Sequence, residues 1–355
     1  MRKRVLLTGI GGFIGAHCLE YFLNNTDWEI IGLDSFRHKG SFRRVEEANK
    51  RHLDHVKDTS TMAERFNIYC HDLVAPIDPQ LESLILNRRI VDGEVVEDKL
   101  DYIINMASNS AVERSTDDPT ECLRNNHDLV VNMLEFARRV NPDIFFQVST
   151  DEVYGEAKPD QAHVEWDVIL PSNPYAASKA AQEAIAIAYW RTYDVPVVLT
   201  NTMNNIGEWQ DPEKFLPKII QFVSQGKEVP IYGDDPASIG TRFYLHAQNH
   251  ADAFVFLSQF NPAMYADGAD RPDRYNICGD TELNNLEMAQ LIADIMGKTL
   301  NYRLIPSESA RRGYDRRYAL DGSKMTRKGW TPPVSFRESL KRVVEWTLAN
   351  QHWLV

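Results

Sequence analysis

A glycine-rich turn between a short apolar strand and a helical pattern constrains the fold of this chain more than any other feature. Residues 5–7 are apolar, Gly9, Gly12 and Gly15 follow at a regular spacing, and a helical pattern runs from about residue 13 to 24. A strand, a tight turn and a helix N-terminus in this order bring backbone N–H groups close to a pyrophosphate. The pattern therefore predicts a dinucleotide site that also includes Phe13 and Ile14 at the helix start.

The strand that follows this helix ends in an acidic residue. Residues 29–33 form this predicted strand, and Asp34 comes next, roughly 20 residues past the last glycine. A carboxylate at this place accepts hydrogen bonds from the adenosine ribose hydroxyls and repels a 2′-phosphate, so it favours NAD over NADP. The basic run at 37–39 could accommodate that phosphate, which leaves NADP open as an alternative.

Two further strands extend the predicted cofactor site. A strand at 67–70 leads to an acidic residue that we expect near the adenine amino group, and a strand at 101–108 ends in small side chains that let a cofactor pass closely. The predicted contacts at these two places are Asp72, Leu73, Ala107 and Ser108.

The order of elements indicates the fold class. Strands and helices alternate through residues 1–200, with long helices predicted at 117–140 and 174–193, and this order is typical of a parallel α/β sheet. Later the pattern loosens into short strands and separate helices. We predict a Rossmann-type doubly wound parallel sheet in an NAD-binding and catalytic domain, 1–200. We also predict a smaller mixed α/β C-terminal substrate-binding domain, 201–355, some of whose segments return to the sheet.

Composition excludes several function classes. The chain has 355 residues and a formal net charge of −12, which argues against a nucleic-acid partner or an anionic membrane surface. Its four cysteines are scattered without metal-ligand spacing, so we predict no metal site and a reduced, cytoplasmic location. No apolar run approaches the length of a transmembrane helix.

Two polar motifs carry the candidate chemistry. Thr150, Asp151 and Glu152 follow an apolar strand, and Tyr175 and Lys179 lie one turn apart on the next predicted helix. An ammonium beside a phenol stabilises the phenolate, so the tyrosine can act as a base near neutral pH. Alone, each motif is more often a turn, a helix cap or a chance pairing; the cofactor pattern upstream favours the catalytic interpretation.

The residues together resemble the extended short-chain dehydrogenase/reductases, and among these the nucleotide-sugar 4,6-dehydratases of the dTDP-glucose type. The resemblance covers nearly the whole chain. The segments that carry it are 8–15, 107–115, 149–155, 173–179, 201–207, 212–214 and 315–318. The Thr-Asp-Glu triplet is the discriminating part, because related epimerases usually lack its acidic pair.

This resemblance implies a reaction and a role for each catalytic residue. Tyr175, assisted by Lys179 and Thr150, removes the proton of the sugar C4 hydroxyl while NAD takes the C4 hydride. Glu152 removes the C5 proton, and protonated Asp151 donates to the leaving C6 hydroxyl. NADH returns its hydride to C6 and a proton returns to C5, so the implied product is a 4-keto-6-deoxy sugar nucleotide. Two adjacent carboxyl groups in opposite protonation states require unequal environments.

The resemblance also implies which residues hold the nucleotide sugar. They are Asn109, Ser110, Asn205, Lys214, Tyr232, Arg242 and Arg311. The chain departs from the family pattern where the family commonly has His, Asp, Asn and His; these positions hold Ala111, Phe243, Thr281 and Tyr314. The departures leave the nucleotide base and the sugar undetermined, with dTDP-glucose as the first candidate.

Other readings remain open. A sugar-nucleotide epimerase or decarboxylase is disfavoured because C4 epimerisation has no use for the Asp151–Glu152 pair. A catalytically silent NAD-binding sensor is disfavoured because Tyr175 and Lys179 are both present.

Assembly is open too. In the family, the helices at 117–140 and 174–193 pair across a two-fold axis, and we predict a homodimer through them. The apolar residues in favour are Leu129, Val130, Met133, Leu134, Phe136, Ala180, Ala181, Ala184, Ile185, Ala188 and Trp190. If all of them pack against the sheet, the molecule is a monomer.

Overall fold

The computed structural model describes residues 2–56, 65–262, 268–309 and 313–354. The elements of the first 202 residues are β1 Arg4–Thr8, α1 Phe13–Asn25, β2 Glu29–Asp34, α2 Phe42–His55, β3 Phe66–Cys70, α3 Pro79–Ile85, β4 Arg89–Val91, β5 Glu94–Val96, β6 Tyr102–Asn105, α4 Val112–Asp117, α5 Pro119–Val140, β7 Ile144–Thr150, α6 Pro174–Tyr193 and β8 Val197–Thr202. A short 3-10 turn, Asp151–Tyr154, follows β7 directly.

The remaining elements are shorter on average. They are β9 Asn204–Ile206, α7 Phe215–Ser224, β10 Val229–Tyr232, β11 Thr241–His246, α8 Ala247–Leu257, β12 Asp273–Ile277, β13 Glu282–Asn284, α9 Asn285–Ile295, β14 Tyr302–Ile305, α10 Ser323–Lys328 and α11 Phe336–Ala349. Further 3-10 turns lie at Pro236–Ser238, Ser307–Ser309 and Gln351–Trp353.

A seven-stranded sheet organises the first part of the chain, in the order β12-β8-β7-β6-β1-β2-β3. The pairs β1–β2, β2–β3, β1–β6 and β6–β7 are all parallel. Strand order runs outward in both directions from the β1–β6 pair, which is the topological switch point where such sheets bind ligands at their carboxyl ends. The predicted Rossmann-type doubly wound sheet is confirmed.

The central strands explain why this sheet forms. Val5, Leu6 and Leu7 are all completely buried, so β1 is covered on both faces, as an apolar run in a parallel sheet requires. Its neighbours and the helices α5 and α6 contribute to the same core.

The structure differs from the sequence predictions in two places near this core. The predicted strand at 101–108 ends at Asn105, because the Thr8 hydroxyl accepts the N–H groups of Met106 and Ala107, each at 3.1 Å, and draws the backbone out of the ladder. Between β3 and β6, helix α3 is followed by the antiparallel hairpin β4–β5, which the sequence did not predict.

The hairpin has a local cause. Its two-residue turn, Asp92-Gly93, holds both residues at positive φ, the geometry that suits the right-handed twist of the flanking strands.

The chain forms two compact units, and it passes between them more than once. The first contains Met1–Ser149, Pro174–Asn201 and Phe254–Tyr275; the second contains Thr150–Asn173, Thr202–Ala253 and Asn276–Val355. A single cut near residue 200 therefore does not describe the units, since 150–173 group with the second and 254–275 with the first. Which functions the two parts carry remains a prediction.

The second unit is a mixed α/β structure, as predicted. Strand β11 pairs in parallel with β9 and antiparallel with β13, and β10 pairs in parallel with β14. Helices α7, α9 and α11 supply most of its core, which includes Leu216, Ile220, Ile292, Val343 and Val344.

Candidate active site

The glycine-rich loop after β1 has no space for side chains. Gly9 has a φ of +73°, and a Cβ on Gly12 would lie 3.0 Å from the Gly9 carbonyl oxygen. A Cβ on Gly15 would overlap that same oxygen and lie 2.9 Å from the Ile10 Cα. Helix α1 begins at Phe13 without any side-chain cap. Backbone groups at a helix N-terminus are thus left to serve an anion.

Asp34 ties the end of β2 to this loop. Its Oδ2 accepts the Gly11 N–H at 2.9 Å, and its Oδ1 accepts the Phe36 N–H at 2.8 Å. Burial raises the pKa of Asp34, and the two backbone N–H bonds oppose that rise. A carboxylate oxygen can accept more than one hydrogen bond, so the predicted contact with ribose hydroxyls fits this geometry.

Asp72, one of the two residues predicted for the adenine side, lies beside Arg37 of the basic run 37–39. The Arg37 guanidinium lies 3.3 Å from the Asp72 carboxylate and donates to the Asn125 side chain at 2.7 Å. Leu73 is buried, and its carbonyl accepts the Asn132 amide at 2.9 Å. Arg37 is therefore held by an acidic and an amide partner of its own chain, which weakens the case for a 2′-phosphate ligand.

The segment after β6 is held by a hydrogen bond from its backbone to α5. The Asn109 N–H donates to the Asn126 side-chain oxygen at 2.8 Å, and Asn109 is buried. The Ser108 hydroxyl is buried and has no hydrogen-bond partner within the described residues. Ser110 is exposed. A buried hydroxyl without a partner is a group that a ligand can satisfy.

Helix α6 presents the predicted base and its lysine from its first turns. Tyr175 is partly buried, whereas Lys179 is only 3% exposed. The Lys179 Nζ donates to the Val148 carbonyl at 2.6 Å and to the Gln182 Oε1 at 2.7 Å. Burial lowers the pKa of Lys179 to about 8. An ammonium has three donors, so two are used by the protein and one can serve a ligand or a neighbour.

Asp151 follows β7 directly and is buried in the second unit. Its Oδ1 accepts the Thr150 hydroxyl at 2.9 Å, and its Oδ2 has no partner within the part of the chain that the structure describes. Burial, and then the charge of Glu152, raises the pKa of Asp151 to about 7. Asp151 is therefore protonated in a large fraction of molecules at neutral pH, as a proton donor must be.

Glu152 has a different environment, built from two residues that the sequence analysis did not include in the site. Its Oε2 accepts the Asn173 side-chain amide at 2.9 Å and the Tyr318 hydroxyl at 3.4 Å. Burial and the charge of Glu152 raise the pKa of Tyr318 far above its ordinary value, so this phenol remains a hydrogen-bond donor. The two donors leave the other carboxylate oxygen, Oε1, for a ligand.

A sequence signal for those two donors was present but could not be used. Asn173 stands immediately before the helix that carries Tyr175, and Tyr318 closes the Asp315-to-Tyr318 segment. Neither the spacing nor the residue type indicates that both side chains face the same carboxylate oxygen.

The predicted substrate residues of the second unit have varied surroundings. The Asn205 amide donates to the Thr202 hydroxyl and the Met203 carbonyl, while its buried Oδ1 has no partner among the described residues. Lys214 is the residue before α7. Tyr232 is 41% exposed. Arg311 lies outside the described residues.

Arg242 holds the loop that contains Tyr314 and Tyr318 by hydrogen bonds to its backbone. Its guanidinium donates to the main-chain carbonyls of Thr241, Asp315 and Arg316 and lies 4.4 Å from the Tyr318 ring centre. The role of Arg242 as a diphosphate ligand stays a prediction. Its guanidinium is already bonded to three backbone carbonyls. It supports the tyrosine that bonds Glu152.

The described residues contain neither a metal-ligand cluster nor a membrane-spanning helix. No group of three or more His, Cys, Asp or Glu side chains in residues 2–56, 65–262, 268–309 and 313–354 could hold a metal ion. Within those same ranges, no helix is both long and apolar enough to cross a membrane.

Comparison with known proteins shows the family of this chain. The sequence profile of the GDP-mannose 4,6 dehydratase family matches residues 6–343. A low-salt glycan biosynthesis protein of Haloferax volcanii is 33% identical, with 98% of this chain and 99% of that protein covered. The dTDP-glucose 4,6-dehydratase of Salmonella typhimurium is 29% identical, with coverages of 99% and 94%.

A solved structure extends this agreement to the fold. The dTDP-glucose 4,6-dehydratase of Streptomyces venezuelae, solved with NAD bound, has a TM-score of 0.79 and 29% identity, with coverages of 99% and 98%. The chain therefore belongs to the GDP-mannose 4,6 dehydratase family, within the extended short-chain dehydrogenase/reductases, and it resembles the dTDP-glucose 4,6-dehydratases.

Proposed function

We propose that this chain is an NAD-dependent nucleotide-sugar 4,6-dehydratase, with dTDP-glucose as the first candidate substrate. The observation that carries the proposal is the unequal treatment of two adjacent carboxyl groups. Asp151 is buried beside one hydroxyl, whereas Glu152 accepts two hydrogen bonds on one oxygen. Elimination of water needs an acid and a base together, and adjacent carboxyl groups in different environments can supply both.

The chain's own residues fit NAD. The glycine loop leaves no room for side chains, α1 has no side-chain cap, and Asp34 offers lone pairs to ribose hydroxyls. We assign the pyrophosphate to Gly9, Gly12, Phe13, Ile14 and Gly15, the adenosine to Asp34, Asp72 and Leu73, and the nicotinamide side to Ala107, Ser108, Tyr175 and Lys179. The chemistry that bound NAD supplies is acceptance of a hydride from the sugar C4 and its return to C6.

Tyr175 serves as the base for the sugar C4 hydroxyl. Lys179, one turn away on α6, stabilises the phenolate by its positive charge. Thr150 assists by a hydrogen bond to the sugar C4 hydroxyl. Burial keeps the pKa of Lys179 near 8, so the ammonium form still predominates at neutral pH.

Glu152 and Asp151 carry out the elimination. Once C4 is a ketone, the C5 proton is acidic, and the Glu152 carboxylate removes it. The C6–O bond then breaks as the proton of Asp151 passes to the leaving hydroxyl, and water departs. This sequence balances protons between the two carboxyl groups and requires Asp151 to begin protonated.

The residues proposed for the nucleotide sugar are those of the resemblance. Asn109 and Ser110 belong to the first unit, whereas Asn205, Lys214, Tyr232 and Arg242 belong to the second, and Arg311 completes the set. The unpartnered Oδ1 of Asn205 is the contact that the structure supports best, because a buried amide oxygen without a donor is costly.

We also propose a homodimer through α5 and α6. On α6, Ala181, Ala184 and Ala188 are exposed, and small residues allow a second helix to approach closely. The five apolar residues expected to contribute from α5 (Leu129, Val130, Met133, Leu134 and Phe136) are instead buried in the core of the first unit. The proposal therefore depends on the exposed alanines of α6.

Incubation of the purified protein with a panel of nucleotide sugars tests the function. The panel contains dTDP-glucose, UDP-glucose and GDP-mannose, and mass spectrometry follows the product. A dehydratase yields a product that has lost one water, whereas an epimerase leaves the mass unchanged. A decarboxylase acts only on a uronic acid, and a silent NAD-binding protein gives no product at all. Tests with UDP-glucuronic acid complete the panel.

A further inference from the structure

A row of buried polar side chains crosses three strands of the parallel sheet. Thr8 on β1, Asn105 on β6 and Gln147 on β7 are successive partners in the strand register. The Thr8 hydroxyl donates to the Asn105 Oδ1 at 2.9 Å, and the Asn105 amide donates to the Gln147 Oε1 at 2.9 Å. All three side chains are at most 1% exposed. We call these residues, with Gln182, the polar ladder.

The polar ladder continues from the sheet into α6 and ends at the lysine. The Gln147 amide donates to the Gln182 Oε1 at 3.3 Å, and the Lys179 Nζ donates to the same oxygen at 2.7 Å. The Gln182 amide in turn donates to the Asn126 carbonyl at 2.7 Å. Gln182 is completely buried.

Chemistry fixes the direction of every bond in the ladder. An ammonium can only donate, so the atom of Gln182 that faces Lys179 must be its oxygen. The Asn126 carbonyl can only accept, so the other terminal atom of Gln182 must be its nitrogen. Gln147 must then point its nitrogen at Gln182 and its oxygen at Asn105. The row therefore has one consistent arrangement that offers an acceptor to Lys179.

The other end of the ladder lies where the cofactor is proposed to bind. The Thr8 hydroxyl oxygen accepts the N–H groups of Met106 and Ala107, each at 3.1 Å. Gly9 follows Thr8, and a Cβ there would lie 3.1 Å from the Ala107 Cα. The ladder thus joins the backbone at the topological switch point to the predicted catalytic lysine.

Apolar side chains could fill these positions in a sheet core at a similar cost in free energy. Buried amides stabilise a protein only when every donor and acceptor is satisfied, and replacing such a network by apolar groups of the same shape is often neutral. Packing alone therefore does not explain four polar side chains in this row.

We infer that Gln182 is a positioning residue that fixes the Lys179 ammonium, and that the polar ladder orients Gln182 for this task. The inference rests on the proposed function, in which Lys179 assists Tyr175. Two of the three N–H donors of Lys179 are occupied by Val148 and Gln182. The remaining donor is then the one directed to Tyr175 or the cofactor.

Several ionisable groups face Lys179 besides this amide. Glu183 lies on its own helix and is itself paired with Arg274 of β12, while Cys122 approaches from α5 and Tyr175 lies one turn away. Burial lowers the pKa of Lys179, and the charge of Glu183 opposes that effect, whereas burial raises the pKa of the Cys122 thiol and keeps it neutral. Removing the Gln182 oxygen should lower the pKa further, whereas a carboxylate in its place should raise it.

The test compares Gln182→Met, Gln182→Glu and a matched control, Gln221→Met, whose amide donates only to the Leu354 carbonyl in the second unit. The pKa of Lys179 is measured by NMR in protein labelled with 13C at lysine Cε, with the signal assigned from Lys179→Arg. We expect Gln182→Met to lower it by about one unit or more, Gln182→Glu to raise it, and Gln221→Met to leave it unchanged. The alkaline limb of the pH–rate profile should move in the same directions.

Shifts of the Lys179 pKa in opposite directions separate positioning from packing. If Gln182 served packing alone, both variants would lower the stability of the protein, and the pKa of Lys179 would not fall in one and rise in the other. If neither Gln182 variant moves the lysine titration, or both move it the same way, the inference is wrong. If Gln182→Met does not fold, Gln147→Met should still lower the pKa of Lys179, by less, and an unchanged value there overturns the inference. The NMR titration needs no turnover, so it stands even if the wild-type protein dehydrates no sugar nucleotide.

Discussion

Asp151 and Glu152 are neighbours in sequence, but their side chains meet different surroundings. Asp151 has one hydroxyl donor and one buried oxygen without a partner in the described chain, while Glu152 has an amide and a phenol on a single oxygen. Desolvation favours the neutral acid at the first residue, whereas the second is only partly buried and is held by two donors. The chemistry proposed for the pair thus follows from burial and hydrogen bonding at single residues.

Replacing Tyr175 by phenylalanine should abolish oxidation at C4 while NAD stays bound, because the ring remains and only the base is lost. We expect turnover to fall by about 10³-fold or more. Formation of NADH absorbance in a single turnover with dTDP-glucose is the readout. Turnover near the wild-type rate would show that the base lies elsewhere.

The two carboxyl variants should separate elimination from oxidation. Glu152→Gln and Asp151→Asn should each slow water loss by roughly 10²–10⁴-fold and slow C4 oxidation less. Exchange of the C5 hydrogen with solvent deuterium should vanish in Glu152→Gln and persist in Asp151→Asn. Undiminished exchange in the Glu152 variant would remove that residue as the base.

The ionised Asp151 carboxyl should lower the free energy of unfolding at pH 7 and above. Because its pKa rises to about 7 in the folded protein from an ordinary value of 3.8, the folded state holds its proton more tightly than the unfolded state. Its favourable contribution is complete below pH 4 and is lost as pH rises to 7 and above. Asp151→Asn should therefore be more stable than wild type at pH 8, by roughly 2–4 kcal/mol, with little gain at pH 4. Urea unfolding at both pH values measures this, and an equal difference at both would contradict it.

At this scale the sequence could identify the residues proposed to react but not the residues that hydrogen-bond to them. Thr150, Asp151 and Glu152 are contiguous, so a motif could identify them. Asn173 and Tyr318 are 21 and 166 positions from Glu152, and only the folded chain brings them to one oxygen. Gln147 and Gln182 looked like ordinary members of a strand and a helix for the same reason.

Among the elements, the loop between β1 and α1 makes the strictest demand on its sequence. In Gly15→Ala, the new Cβ would overlap the Gly9 carbonyl oxygen, so the loop backbone would have to move. We expect wild-type protein to co-purify at least partly with NAD, and Gly15→Ala to lose it. Gly226→Ala, where a Cβ would meet open space and only the φ of +65° would strain the backbone, controls for a destabilising alanine outside this loop.

Release of the bound dinucleotide by acid and its identification by mass spectrometry gives the result for both variants. Retained NAD in Gly15→Ala would contradict the assignment of this loop. NADP in the wild-type protein would contradict the role given to Asp34.

Element boundaries show where sequence reasoning succeeds and where it fails. The long helices α5 and α6 were predicted within two residues, because α5 is strongly amphipathic and capped by Asp118, while α6 begins at Pro174, a residue that suits the first position of a helix. The hairpin β4–β5 was missed, because its three-residue strands are too short to show alternation. The end of β6 was misplaced because a threonine side chain from β1, distant in sequence, captures the next two backbone N–H groups.

For the whole molecule, the open question is assembly. The exposed alanines of α6 predict a homodimer of twice the chain mass of 40.7 kDa. Ala184→Glu should dissociate it, because a charge would be buried where two helices approach closely. Sedimentation equilibrium at micromolar concentration measures both proteins, and a wild-type mass of 40.7 kDa would contradict the proposal.

The central claim is that one chain removes water from a nucleotide hexose without net use of its cofactor. Incubation with dTDP-glucose in D2O, followed by mass spectrometry and NMR of the product, tests it most directly. The account predicts a 4-keto-6-deoxy sugar that has lost one water and carries one deuterium at C5, with the bound NAD oxidised at the end. If dTDP-glucose is turned over, a product of unchanged mass, or one without deuterium at C5, would contradict it.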